Sequence, residues 1–298
     1  MKSASAAPLD NVPKAIVLTL ISLVIFGLQD IAVKLLVADY SVMQVVMIRF
    51  WGVALFTLIW IGRNTDLRVV IRSHYPKMQI FRSVLLLIDI WLFSAALGFM
   101  QTSDLQAMFM LYTIVVSLLA VPILGEKMGV YRWAAVVVGF VGAMVVIRPG
   151  FQTIDSSIWL VAGAVVSFSL YTVLTRKVAT KDSTKTSMLY LSLVALVLST
   201  VSGVFQLENM SGQAWLLMLI VIICAIATHL LFTVAFRYAP ASVLQPLNFL
   251  ALPVAVGLTF LFFGHVTDLI TIIGGLITIA AGLLVWFREA RMGKRARD

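Results

Sequence analysis

Charge is what this 298-residue chain has least of: 12% of it is Asp, Glu, Lys or Arg, against 61% hydrophobic residues and a mean hydropathy of +1.05. Soluble domains run at about 25% charged and about 45–50% apolar, so this composition cannot cover a water-facing surface. Cysteine is nearly absent. The lone Cys224 excludes an intrachain disulfide and any site built from several thiolates. Histidine occurs three times, at His74, His229 and His265, far apart and without the H-E-x-x-H spacing of a zinc hydrolase. No G-x-x-x-x-G-K-[ST] loop is present for nucleotide hydrolysis. Acids are scattered rather than clustered at one interface, which argues against lipid chemistry. The expectation is a chain that is not an enzyme and carries no cofactor and no metal.

What is present is apolar sequence in long runs. A helix needs about 20 mainly apolar residues to cross a bilayer, and ten such stretches lie near 14–36, 41–62, 78–98, 104–124, 130–148, 158–175, 186–206, 213–236, 241–263 and 267–287. The longest connection, 63–77, is too short for a soluble domain. The first stretch is no cleaved signal peptide, because it is long and ends in Asp30 and Lys34 with no small-x-small cleavage site.

Net charge is +9, and its distribution tests the ten spans. Lys and Arg on the side of the N-terminus number 19, from Lys2 and Lys14 through Arg63, Arg82, Lys127 and Lys177 to the basic tail after Arg288. The other side has Lys34 and Arg148, and Arg49 lies within a span. Basic residues mark cytoplasmic loops, so both termini are expected in the cytoplasm. The basic tail then reads as a topological anchor, with no nucleic-acid partner implied.

The chain also matches itself at an offset of 139. Leu92-Phe93-Ser-Ala-Ala96 falls on Leu231-Phe232-Thr-Val-Ala235, Ser103-Asp-Leu105-Gln106 on Ser242-Val-Leu244-Gln245, and Gly125 on Gly264, with ten identities over 34 positions. The shared segment occupies spans 3–4 of one half and 8–9 of the other. Five spans per half is odd, so the second half is expected to cross the bilayer in the opposite sense, an inverted-topology repeat. The domain reading is a tail at 1–13, a first repeat at 14–148, a connection at 149–157, a second repeat at 158–287 and a tail at 288–298.

Phe26-Gly27 followed by Lys34, Arg49, the Phe93-Ser-Ala-Ala-Leu segment, and Gly125-Glu126-Lys127 before Gly139 and Gly142 resemble the EamA domain of the drug/metabolite transporter superfamily. A second EamA-like copy starts at Phe168 with Arg176-Lys177 and runs through Phe232 to Gly282. The resemblance spans about residues 15–287. Two positions depart from it: Thr113 stands where the first copy often has proline, although the second keeps Pro253, and His265 replaces the glutamate matching Glu126. The resemblance, which extends to aromatic amino-acid exporters, implies an all-α membrane protein of ten helices, with spans 1, 3, 4, 6, 8 and 9 around a central cavity.

Charges inside a bilayer cost about 2.5–3.5 kcal/mol on insertion scales, so each needs a cavity or a partner. Asp30 and Arg49 fall in the outer third of spans 1 and 2, either as a gate or substrate anchor, or as an ion pair tying the two helices; Asp30 equally reaches Lys34 one turn on. Asp89 is the acid nearest the midplane, placed to carry a proton or hold a substrate amine, or simply to bond a neighbouring helix. Its repeat-related position is Thr228, beside His229, a second candidate for a proton relay or a helix-helix hydrogen bond.

Trp91, Tyr112, Phe168, Tyr171, Gln245 and Asn248 all lie within spans rather than in interfacial belts, unlike Trp60, which is expected to face lipid. Aromatic rings with a few amides suit a half-apolar solute, the alternative being ordinary helix packing. Tyr112, Phe168 and Tyr171 stand out because the resemblance puts them on cavity-lining spans. Gly139-x-x-Gly142 and Gly274-Gly275 with Gly282 fit close helix packing or dimerisation. Together these readings favour a secondary transporter of the bacterial inner membrane, monomer or homodimer, whose partners are the lipid bilayer and a small amphipathic substrate. Export of aromatic or apolar amino acids leads; uptake of a nucleoside-like metabolite such as S-adenosylmethionine and a non-transporting scaffold are the alternatives.

Overall fold

The computed structural model describes residues 12–64, 67–125, 130–147, 157–178, 181–238 and 245–283, except 278 and 282; a few side chains inside helices, those of His229 and Gln245 among them, lie outside the description. The tails at 1–11 and 284–298, Glu126 with Lys127, and Gly282 lie outside it as well. Among the described residues the secondary structure is helical, without strands.

The helices are α1 (Val12–Asp39), α2 (Val42–Asn64), the single turn α3 (Leu67–Val70), α4 (Pro76–Phe99), α5 (Thr102–Phe109), α6 (Tyr112–Leu124), α7 (Val130–Ile147), α8 (Ser157–Val178), α9 (Thr184–Gly203) and α10 (Gly212–Tyr238). A 3-10 turn at Gln245–Leu250 leads into α11 (Ala251–Phe263), and α12 occupies Leu269–Ala281. Among the described residues six stretches are long and apolar enough to cross a membrane, namely Pro13–Asp39, Val42–Arg63, Pro76–Phe99, Thr102–Leu124, Ser157–Thr175 and Thr184–Gln206. Shorter apolar stretches at Gly212–Thr228, Ala251–Phe263 and Leu269–Ala281 follow.

The fourth stretch is not the continuous helix expected at 104–124. It tightens at Met110 and Leu111, where Leu111 N–H bonds to Met108 O at 3.1 Å, Thr113 N–H to Met110 O at 3.2 Å and Ile114 N–H to Leu111 O at 3.0 Å. These i to i−3 bonds narrow the turn without any proline. Thr113 holds it there, because its hydroxyl also donates to Met110 O at 2.9 Å.

The offset of 139 recurs in the helix boundaries. It shows at two helix ends that lie wholly within the described residues, Leu124 of α6 and Phe263 of α11, 139 residues apart. The same offset makes α8, α9 and α10 the counterparts of α1, α2 and α4. α6 and α11 match at both ends, each preceded by a tightened turn. Each is closed by a left-handed glycine, Gly125 at φ 73° and Gly264 at φ 64°, a conformation that costs other residues about 1–2 kcal/mol.

The main packing partners are α1 with α10, α4 with α8, and α2 with α9. Exchanging each helix for its counterpart returns the same three pairs. Directions follow from the contacts. Lys34 near the end of α1 donates to Leu97 O and Met100 O at the end of α4, so these two run parallel. Arg82 near the start of α4 meets Thr175 near the end of α8, and Gly163 near the start of α8 sits under Leu92, so these two run antiparallel. α1 and its counterpart α8 therefore point in opposite senses. The central apolar cluster joins Leu36, Ile48, Phe93, Leu105, Phe109, Val161, Val165, Met218 and Leu252, drawing on both halves.

Candidate functional site

Aromatic rings gather where the tightened turn between α5 and α6 meets α4 and α8. Phe109 lies 5.0 Å from Phe93, 5.3 Å from Tyr112 and 5.4 Å from Phe168 between ring centroids. Tyr112 and Phe168 meet edge to face at 4.9 Å, and Tyr171 follows at 5.9 Å from Phe168. The Tyr112 hydroxyl faces the side-chain amide of Asn248, on the 3-10 turn before α11. The structure thus brings together four of the residues singled out from sequence: Tyr112, Phe168, Tyr171 and Asn248. Both tightened turns, one from each half, contribute. Phe93 and Phe109 were missed, although Phe109 and Asn248 occupy repeat-related positions.

Trp91 does not join this group. It packs instead with Val46, Phe50, Leu87 and Ala195 between α2, α4 and α9, and its indole nitrogen is buried without a partner. Gln245 and His229 fall among the side chains outside the description. Trp60 is not a simple lipid-facing residue either: it packs against the cluster of Ile61, Val70 and Leu189 with the Lys185 ammonium 5.9 Å from its ring.

Asp30 on α1, Arg49 on α2 and Asp89 on α4 form an electrostatic group, each within range of the others' charge. The direct Asp30–Arg49 ion pair read from sequence is not formed. Arg49 Nε and Asp89 Oδ1 are buried without any hydrogen-bond partner, and so is Thr228 Oγ1 at the position repeat-related to Asp89. Arg49 also lines a small cavity of about 30 Å³ with Thr57, Ser192 and Ala225. Lys34 leaves Asp30 altogether. Its ammonium takes Leu97 O at 2.8 Å and Met100 O at 2.6 Å, which satisfies the carbonyls at the end of α4.

The most extensive polar network was counted in sequence only as loop charge. Arg82, 1% exposed, donates from Nε to Gln79 Oε1 at 2.6 Å, from Nη1 to Thr175 Oγ1 at 3.0 Å and from Nη2 to Ser187 O at 2.8 Å. Its guanidinium also lies 5.6 Å from the centre of the Tyr171 ring. Gln79 in turn donates to Asp182 Oδ2 at 2.8 Å. Asp182 further accepts from Ser73 Oγ and from the His74 backbone N–H at 2.7 Å, with His74 Nδ1 at 3.3 Å. Burial alone would raise the Asp182 carboxyl, but the bonds from Ser73, Gln79 and His74 outweigh it and hold it below the usual carboxylate range. One network therefore clamps α4, α8, α9 and residues 73–74 at the end where Arg63, Arg68, Arg72 and Lys77 are exposed. The signal was available: Gln79 and Arg82 are three apart, on one helix face, inside an apolar span.

At the opposite end Gln44 donates to Glu208 O at 2.8 Å and accepts from Glu208 N–H at 3.1 Å, while Tyr40 accepts from Ser211 N–H at 3.0 Å. Both ends of the bundle are tied across the two halves.

The EamA-like transporter family model matches this chain twice, over residues 13–148 and 155–287. The chain belongs to the EamA-like transporter family. It is thus a multi-pass protein of the inner membrane. It is 24% identical over 280 residues to an S-adenosylmethionine uptake transporter of Rickettsia prowazekii, covering 91% of this chain and 92% of that one. A riboflavin transporter of Vibrio cholerae is 27% identical over 176 residues, 59% of each chain. A solved crystal structure of a protein shares the fold at a TM-score of 0.66 and 15% identity, over 94% of this chain and 99% of that one. These relatives support a transporter of small metabolites.

Proposed function

We propose that this EamA-like protein moves a small metabolite bearing a flat heteroaromatic ring, by alternating access between two inverted five-helix halves with both termini in the cytoplasm. The observation that carries the reading is the aromatic group of Tyr112, Phe168 and Phe109 with the Asn248 amide at its edge, set at the junction of the two halves. Stacked faces bind a flat ring, and one amide with one phenol gives it orientation. S-adenosylmethionine and riboflavin, the solutes of the relatives, both carry such a ring beside polar groups. The match of α6 with α11 at an offset of 139, and α1 running against its counterpart α8, support inverted halves that exchange conformations. The basic residues at the Arg82 end support placing that end in the cytoplasm.

The alternative of aromatic or apolar amino-acid export draws on the same rings and is decided by the same experiment. Purified protein in liposomes loaded with one unlabelled solute should exchange it for labelled S-adenosylmethionine or riboflavin, and not for phenylalanine or leucine. Tyr112→Ala and Phe168→Ala should each weaken apparent affinity several-fold, as expected from about 0.5–1.5 kcal/mol per aromatic contact. Trp159→Ala, at a side chain 74% exposed, should leave it unchanged. Exchange of amino acids alone would replace the heteroaromatic reading with the amino-acid one.

A further inference from the structure

Three charges converge inside the bundle from three helices, and the aromatic site does not use them. Asp30 and Asp89 are each 5% exposed, and Arg49 stands within the field of both. With both carboxylates ionised the group carries one net negative charge. A bundle interior does not tolerate that cheaply, and leaving a charged oxygen without a donor costs more still. Asp89 Oδ1 is such an oxygen: buried, and unpartnered. Arg49 Nε is likewise unpartnered. Two opposite charges that attract through space without closing a hydrogen bond leave the carboxylate oxygen open to another occupant.

The chemistry of the group selects that occupant. The guanidinium repels a metal ion. Among the described residues no three His, Cys, Asp or Glu side chains converge as metal ligands. A proton needs one free lone pair and no ligand shell. The charges that act on Asp89 are Arg49 from α2 and Asp30 from α1; among the described residues α5, α8 and α9, also packed on α4, bring no other charge into its range. Arg82, with the Tyr171 ring of α8 beside it, lies about 10 Å away towards the start of α4 at about 1.5 Å per residue.

We infer that Asp89 and Asp30, held around Arg49, form the coupling site of the transporter and take up one proton between them. In the step, water on one side of the membrane gives a proton to Asp89 Oδ1, an O–H bond forms, and the group becomes neutral. After the halves exchange, the same bond breaks and the proton leaves to water on the other side. One proton crosses per cycle, and Arg49 keeps the remaining carboxylate ionised. This inference rests on the transporter reading, so the test separates the two.

The site is tested first without any solute. In purified protein in lipid, the infrared carbonyl stretch of a protonated carboxylic acid should appear as pH falls from 9 to 5. It should shift or vanish in both Asp89→Asn and Asp30→Asn. Two variants guard against one that fails to fold. Coupling is tested next in liposomes, with labelled S-adenosylmethionine and riboflavin run in parallel. A pH difference of one unit with one proton per solute supports about tenfold accumulation. Wild type should show it, whereas Asp89→Asn should exchange solute and accumulate none. If wild type exchanges no solute of any class, the transporter reading fails. If wild type transports but shows no titrating acid band, or accumulates independently of the pH difference, or if both variants behave as wild type, the coupling site is overturned.

Discussion

Replacing Arg82 by Met keeps much of the side-chain volume and removes the charge and every donor of the clamp at the basic end. The wild-type guanidinium satisfies Gln79 Oε1, Thr175 Oγ1 and Ser187 O and lies 5.6 Å from the Tyr171 ring. Hydrogen bonds to a charged group contribute about 1.5–3 kcal/mol each. They do not add, because Gln79 and Thr175 can turn to water once the end opens. Counting a single bond's worth as the net loss gives about 1.5–3 kcal/mol against the closed arrangement, or about ten- to hundredfold in the closed-to-open ratio. Val178, the last residue of α8 and 0% exposed, reports that opening when changed to Cys in a Cys224→Ser background. A membrane-impermeant thiol reagent should label Val178→Cys about ten- to hundredfold faster when Arg82→Met is added. An unchanged labelling rate with a lowered melting temperature would refute the reasoning, because the network would then stabilise the fold without closing an entrance.

Further outcomes follow from other contacts. Asp182 has a depressed folded carboxyl, so the stability it contributes is complete above the unfolded value of about 4 and is lost as pH falls through the lower folded one. The excess melting temperature of wild type over Asp182→Asn should therefore be constant from neutrality down to about pH 5 and shrink in stronger acid. Gly203→Ala would place a Cβ 2.7 Å from the Met43 carbonyl oxygen and 2.9 Å from Met47 Cβ, separating α9 from α2. Overpacking of this kind costs about 1–3 kcal/mol, whereas Gly62→Ala, with nothing within 4 Å, should be neutral or slightly stabilising in the same thermal unfolding assay. A reporter active only outside the cytoplasm, fused after Asp298, should give no signal; a strong one would contradict the cytoplasmic C-terminus.

Apolar runs carry the helices, and the sequence pattern located them because a bilayer demands length and composition above all. The tightened turn before Tyr112 was not legible, since neither proline nor glycine marks it and Thr113 acts through a hydroxyl bond that composition does not show. Tyr112, Phe168 and Asn248 could be singled out because amides and phenols are rare at that depth. Their meeting could not, since it depends on α8 lying beside α6 and on the second tightened turn. Lys34 shows the limit of reasoning from helical spacing. One turn from Asp30, it still points to the end of α4, where two carbonyls left over by the helix outbid a carboxylate on its own helix. Arg82 was misread for the opposite reason: charge counting assigns a side to a residue and is silent on what it holds.

The backbone repeats at 139 residues, but the chemistry does not. Asp30, Lys34, Arg49 and Asp89 have Ser169, Val173, Met188 and Thr228 as counterparts, so every one of these interior charges belongs to the first half. The same asymmetry divides the two ends. Gln79, Arg82, Thr175 and Ser187, which clamp the basic end, correspond to Met218, Val221, Leu36 and Ile48. Those four are buried together in the central apolar cluster. Positions that close one end by directed hydrogen bonds thus close the other by apolar contact. Hydrogen bonds break at a threshold of distance and angle, whereas apolar contact weakens gradually with exposed area. The opposite end keeps its own hydrogen bonds, between Gln44 and Glu208 and between Tyr40 and Ser211, so the two ends differ in balance: a buried charged network at the basic end, apolar contact with a few neutral bonds at the other. In the alternating-access cycle proposed above, that difference in balance would favour one resting state, set by side chains rather than by the repeated backbone.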